Sequence, residues 1–176
     1  MAETKYLISK CSLMPTEGST KEPYDLVRGI SAIDYYEGVE NPTIALVVTF
    51  IDVDQVISRK GIFGGEYIDL TVQVEGFSDF KLTQKKHNLM LNSVRNVITE
   101  TNKQVATLEF VSVESIINET ARVNKKFTGN VSQTVSELLV SYKKGIRTKK
   151  KLDKHDATNS YSFIGNLKRP FDTIQW

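Results

Sequence analysis

An antiparallel β-barrel followed by short helices, mainly β with minor α, is the fold this sequence predicts. Three observations predict it. Residues 6–111 are a series of short runs rich in valine, isoleucine, threonine and aromatics, residue types suited to a pleated, half-buried surface. Turn-forming glycine, proline and asparagine separate those runs. From Ser112 onward the apolar spacing changes to that of helices, so the chain divides at 1–111 and 112–176.

Tyr6 to Leu13 reads as a first strand, and Met14 to Pro23, with Pro15 and Gly18, reads as turn with little to bury. Ile30 to Tyr36 alternates as a second strand. Pro42 precedes Thr43 to Ile51, a β-branched run read as a central buried strand. Gly61, Gly64 and Gly65 form a loop before Glu66 to Glu75, where Ile68, Leu70, Val72 and Val74 share one face at a period of two. Gly76 ends that strand. Leu89 to Ile98 is ambiguous between helix and strand, Asn102-Lys103-Gln104 is a turn, and Val105 to Val111 is a strand.

Ser112 to Glu119 reads as a short helix capped by Ser112. Asn130 and Gln133 have the chemistry of a capping box for a helix over about 131–144, with Val131, Val135, Leu138, Leu139 and Tyr142 as its apolar side and Gly145 near its end. Tyr161 to Gly165 is a short strand. Pro170 falls in the first turn of a last helix, where its missing N–H costs nothing.

The 176 residues are 40% hydrophobic and 25% charged, a globular composition that excludes collagen-like and wholly disordered readings. No apolar run is long enough to span a membrane as a helix. The start, Met1-Ala2-Glu3-Thr4-Lys5, lacks a signal-peptide layout. A single cysteine, Cys11, permits no internal disulfide. A protein made in a cytoplasm is the expectation, without membrane insertion.

Net charge is only +2, but its distribution is uneven. Lys143, Lys144, Arg147, Lys149, Lys150, Lys151 and Lys154 face Asp153 alone between 143 and 155, a local +6 on a body of −4. Such a strip can hold an anionic partner, nucleic acid included. Aromatic stacking partners are missing within it, and a flexible, solvating loop is the preferred reading; an acidic neighbouring subunit is a third.

Little else suggests chemistry. His155 lies in the basic loop and His87 at a turn after Lys85 and Lys86, so both read as solvated, and Cys11 reads as a packed apolar residue. Asp52-Val53-Asp54 lacks the further ligands of a calcium loop and reads as a solvated turn. Gly61-Ile62-Phe63-Gly64-Gly65 lacks the lysine and serine of a phosphate loop and precedes a strand. No zinc spacing or paired-carboxylate site is present. No enzyme, cofactor or metal is expected.

Two phrases in the last third carry a resemblance. Arg122-Val123-Asn124-Lys125-Lys126-Phe127-Thr128-Gly129, leading into Asn130-Val131-Ser132-Gln133, is the first. Asn159-Ser160-Tyr161-Ser162-Phe163-Ile164-Gly165-Asn166-Leu167-Lys168-Arg169, running on into Pro170-Phe171-Asp172-Thr173-Ile174-Gln175-Trp176, is the second. Together with the preceding strands they resemble the baseplate central hub proteins of T4-type contractile-tailed phages, including those infecting cyanobacteria. The resemblance implies a tail-tube-like barrel and a trimeric ring joining the tail tube protein to the spike protein. DNA would pass through its channel without specific binding, and the protein would reside in the virion baseplate after assembly in the host cytoplasm. Members of that family are about twice as long, so an N-terminal portion of a longer hub is expected. The competing readings are a nucleic-acid-binding module using Lys143 to Lys154 and, third, a wall-degrading hydrolase.

Overall fold

The computed structural model of the chain describes residues 5–53, 55–85, 87–99 and 104–175. Readings placed on residues 1–4, Asp54, Lys86, Asn102, Lys103 and Trp176 lie outside the described residues. The chain divides into two compact units, residues 1–113 and 114–176.

The first unit is an antiparallel sheet. Its strands are β1 (Tyr6–Met14), β2 (Tyr24–Asp25), β3 (Ile30–Tyr36), β4 (Ala45–Asp52), β5 (Tyr67–Val74), β6 (Phe77–Gln84), β7 (Leu89–Thr99) and β8 (Gln104–Ser112), with a five-residue helix α1 (Val56–Lys60). They pair in the order β2-β1-β5-β7-β8-β4-β3, and β6 pairs β5. The sheet curls into half a barrel, and the described pairings run as an open path ending on β2 and β3. Register irregularities in β1, β3 and β7 supply bends, since an extra residue on one strand kinks it and increases its twist.

Burial follows the period-two pattern. Along β8, Gln104, Ala106, Leu108, Phe110 and Ser112 are buried and the residues between are half-buried. On β4, Leu46, Val48 and Phe50 sit opposite Phe110, Leu108 and Ala106; on β1, Cys11 and Leu13 sit opposite Leu70 and Ile68. These side chains form one continuous core with Leu26, Val56, Ile57, Ile62, Leu89 and Leu91. Each fully buried large side chain contributes roughly 1.5–3 kcal/mol relative to its exposure.

The structure resolves or corrects several sequence readings. Leu89–Thr99 is a strand, because it pairs along β8 from Leu89↔Ser112 to Thr99↔Gln104. The β-branched run at β4 lies inside the sheet, yet only alternate residues are buried and Ile51 is exposed. Strand β6 follows Gly76, whose φ of +84° makes the hairpin turn. Asp52 is not solvated: it is fully buried, and its Oδ2 accepts the Ile57 N–H at 2.9 Å, tying α1 to β4. Ser112 does not act as a free helix cap. It ends β8, where its hydroxyl accepts from Ile44 N at 2.7 Å and donates to Ile44 O at 3.1 Å.

The second unit contains α2 (Val113–Thr120, which straddles the division), the hairpin of β9 (Lys126–Asn130) with β10 (Ser160–Ile164), α3 (Val131–Ser136) and α4 (Pro170–Ile174). Val123, Phe127 and Leu138 form its core, flanked by Tyr142, Phe163 and Ile174. Phe127 and Phe163 are register partners with ring centroids 5.3 Å apart. Asn130 caps α3 as its sequence predicts, accepting from Gln133 N at 2.8 Å. Helix α3 then widens into a π-helical turn, Glu137–Ser141, and ends before Tyr142, short of the expected residue 144.

Helix α4 is too short to stand alone. It docks within its unit: Pro170, Phe171 and Thr173 are buried, and the buried Asn118 Oδ1 of α2 accepts the Phe171 N–H at 2.9 Å. Arg169 joins Asp172 and Glu119 at 2.8 Å each. Gly165 is required by proximity, since a Cβ there would lie 2.4 Å from Val123 Cγ1.

Candidate anion-binding groove

The basic strip begins where α3 stops. The π-helical turn places Tyr142 N 2.7 Å from Glu137 O, and the chain doubles back along the helix it has just left. Ile146 N then reaches Leu138 O at 2.9 Å, and Thr148 N reaches Leu139 O at 2.8 Å. Ile146 is wholly buried and anchors the return. Gly145 is the only residue type that fits here, because a Cβ would stand 2.2 Å from the Leu138 carbonyl oxygen. Lys143, Lys144 and Arg147 are exposed around this buried pivot.

This anchoring corrects the reading of a flexible loop for residues 143–150. Thr148 Oγ1 donates to Glu114 at 2.7 Å, and Lys150 Nζ donates to the same carboxylate at 2.9 Å. Burial pushes the Glu114 carboxyl up, but these two donors outweigh it and hold the group below the usual carboxylate value. Further on, Ser132 Oγ donates to His155 O at 2.5 Å and accepts from Ala157 N at 2.8 Å, which fastens the rest of the loop to the first turn of α3.

The seven sequence-predicted cations therefore separate. Lys143, Lys144, Arg147 and Lys149 line one open groove of about 720 Å³. Lys150 is drawn aside to Glu114, and Lys151 and Lys154 are exposed without lining the groove. The groove gains a cation that sequence proximity does not suggest: Arg122, 21 positions before Lys143. One Arg122 nitrogen donates to the Glu119 and Ala121 carbonyls at 2.8 and 2.7 Å, the usual use of a cation at a helix C-terminus. Its presence in the phrase Arg122-Val123 was the available signal, because Val123 is buried and fixes the position of its neighbour.

Between the cations, Ile117, Ala121 and Leu167 give the groove an apolar floor. No carboxylate and no aromatic ring is among its described lining residues. The arrangement suits an anionic partner that also offers an apolar group.

The other candidate residues are dispersed. His87, half-exposed, lies 3.5 Å from Glu17 and packs its ring on Tyr67. His155 is exposed. Cys11 is buried in the sheet, and burial, with Asp25 and Asp69 adding, pushes its thiol up to about 12. Among the described residues no group of three or more potential ligands gathers as a metal site. No described helix is long and apolar enough to cross a membrane.

No family model matches the chain, and no curated protein matches its sequence. Solved structures similar in fold include the following two. One is an E. coli component of the type VI secretion system, described as similar to the T4 bacteriophage tail proteins gp27 and gp5. It aligns with 98% of this chain and 40% of its own, at 8% identity and a TM-score of 0.47. The other is a 43 kDa tail protein of prophage MuSo2 from Shewanella oneidensis. It aligns with 94% of this chain and 47% of its own, at 11% identity and a TM-score of 0.47. The chain thus spans less than half the length of either.

Proposed function

We propose that the chain is a structural subunit of a phage tail baseplate, in the role of the central hub. It would form a ring, trimeric on the resemblance, that joins the tail tube protein to the spike protein and leaves a channel for DNA. Its place would be the virion, after assembly in the host cytoplasm. The role is mechanical and assigns no catalytic step to any residue.

The observation that carries this reading is the sheet of residues 1–113. It curls as half a barrel, and its described pairings leave β2, β3 and β6 each with a single partner. Unpaired strand edges invite pairing with another chain, which a ring subunit would use. The two C-terminal phrases support it as sequence resemblance; the first runs into β9 and α3, and the second includes α4.

Light scattering of the purified chain, with binding assays against tail tube and spike proteins, tests the reading. A ring-sized particle with affinity for either partner is expected. A strict monomer at every concentration, with affinity for neither, overturns it.

A further inference from the structure

We infer that the basic groove is a self-assembly socket: it receives the β3–β4 hairpin tip of a second copy of this chain. The inference rests on the ring reading above and names the contact that would build the ring.

Charge is the first argument. Residues 1–113 hold 11 lysines and arginines against 15 aspartates and glutamates, a net −4; residues 114–176 hold 12 against 6, a net +6. A chain divided in this way attracts its own copies when the positive part of one meets the negative part of another. The negative part also has a focus. From residue 29 to residue 58 there is no lysine or arginine, while Asp34, Glu37 and Glu40 fall on β3 and the turn that follows it.

The tip has the second property the groove requires. Gly38 to Asn41 is a tight turn closed by Asn41 N donating to Gly38 O at 3.1 Å. Val39, in the middle of that turn, is fully exposed, and Glu37, Glu40 and Tyr36 around it are exposed too. Glu37 uses one oxygen to accept from Tyr35 Oη at 3.0 Å, which steadies it at the base of the turn. An exposed valine flanked by two carboxylates matches an apolar floor flanked by cations. The valine would leave water against Ile117, Ala121 and Leu167, and the carboxylates would meet Lys143, Lys144, Arg147 and Arg122.

A nucleic acid fits less well. Its phosphates would use the cations but not the apolar floor. Among its described lining residues the groove offers no ring on which a base could stack. Because tip and groove are different surfaces, the contact is head-to-tail, the type that gives a ring where its rotation closes.

Two variants and their combination test the contact by light scattering, with circular dichroism to establish that each is folded. Reversing the groove (Lys143→Glu with Arg147→Glu) or the tip (Glu37→Lys with Glu40→Lys) should weaken self-association by on the order of a hundredfold, as like charges then face each other. A chain carrying both reversals should assemble again. Assembly that persists unchanged in the groove variant overturns this inference and leaves the ring reading standing. A wild-type chain that never associates and binds neither tube nor spike overturns both. Low-salt binding of a short DNA duplex, lost in the groove variant while assembly continues, also overturns the inference and assigns the groove to phosphates.

Discussion

The sheet unit and the C-terminal unit are held together by different means. In the sheet, a continuous layer of apolar side chains runs from Cys11 to Phe110, so stability is spread over many equivalent contacts. In residues 114–176 the apolar core is small: Val123, Phe127 and Leu138. That unit instead depends on individual fittings. Asn118 holds α4, Gly145 lets the chain double back, Ser132 fastens the loop, and Glu114 gathers Thr148 and Lys150. A spread core resists change by volume; a fitted unit resists change at points. The basic groove is built in the fitted unit, where a few hydrogen bonds can set cations around a pivot.

That contrast can be broken experimentally, and the largest effect is expected in the sheet. Phe110→Ala removes a wholly buried ring and should cost about 3–5 kcal/mol of unfolding free energy in a urea titration. A cost below about 1 kcal/mol would show that the sheet core is not continuous. In the second unit, Asn118→Ala deletes the acceptor of the buried Phe171 N–H and should cost about 1–3 kcal/mol. Limited proteolysis should then cut near α4, and unchanged protease resistance would mean that α4 is held by packing alone.

Gly145→Ala forces a methyl against the Leu138 carbonyl and should destabilise the turn by about 1–3 kcal/mol. Amide exchange at Ile146 and Thr148 is the sharper readout, since both N–H groups should lose protection. A smaller effect attaches to Glu114. Its folded-state value lies below the usual carboxylate value, so its stabilising contribution is complete above the unfolded value and fades as pH falls through the folded one. Glu114→Gln should flatten that acid dependence by less than about 1 kcal/mol, because Lys150 is half-exposed and its pairing is screened by solvent. An unaltered acid titration would remove Glu114 from the groove's support.

Last, Cys11 reports on the sheet without altering it. With its thiol raised to about 12, alkylation at pH 8 should wait on opening of the sheet. Labelling at the rate of a free thiol would contradict the burial.

Much of the sheet was legible because strand burial is local and periodic. Ile68 and Leu70 on β5, and Leu108 and Phe110 on β8, alternate with less buried neighbours, as their spacing requires. The cap at Asn130 and the first-turn Pro170 were legible for the same reason: each acts within a few residues of itself. Readings failed where a partner lay far along the chain. Ser112 was expected to cap α2, yet Ile44, 68 residues away, takes its hydroxyl. Leu89–Thr99 had no decisive period of its own and became a strand through β8. Asp52 is the exception at short range: its partner Ile57 lies five residues on, in the short helix α1 that closes over it.

The groove shows the same division. Composition determined by itself that residues 143–155 are strongly basic on a mildly acidic body, because charge is a property of residue type. Which cations act together was decided by tertiary structure. Four of the seven share a groove with Arg122, and Lys150 is spent on Glu114. The physical reason is that a cation's neighbours in space are chosen by backbone hydrogen bonds and buried pivots such as Ile146, and sequence distance does not measure those.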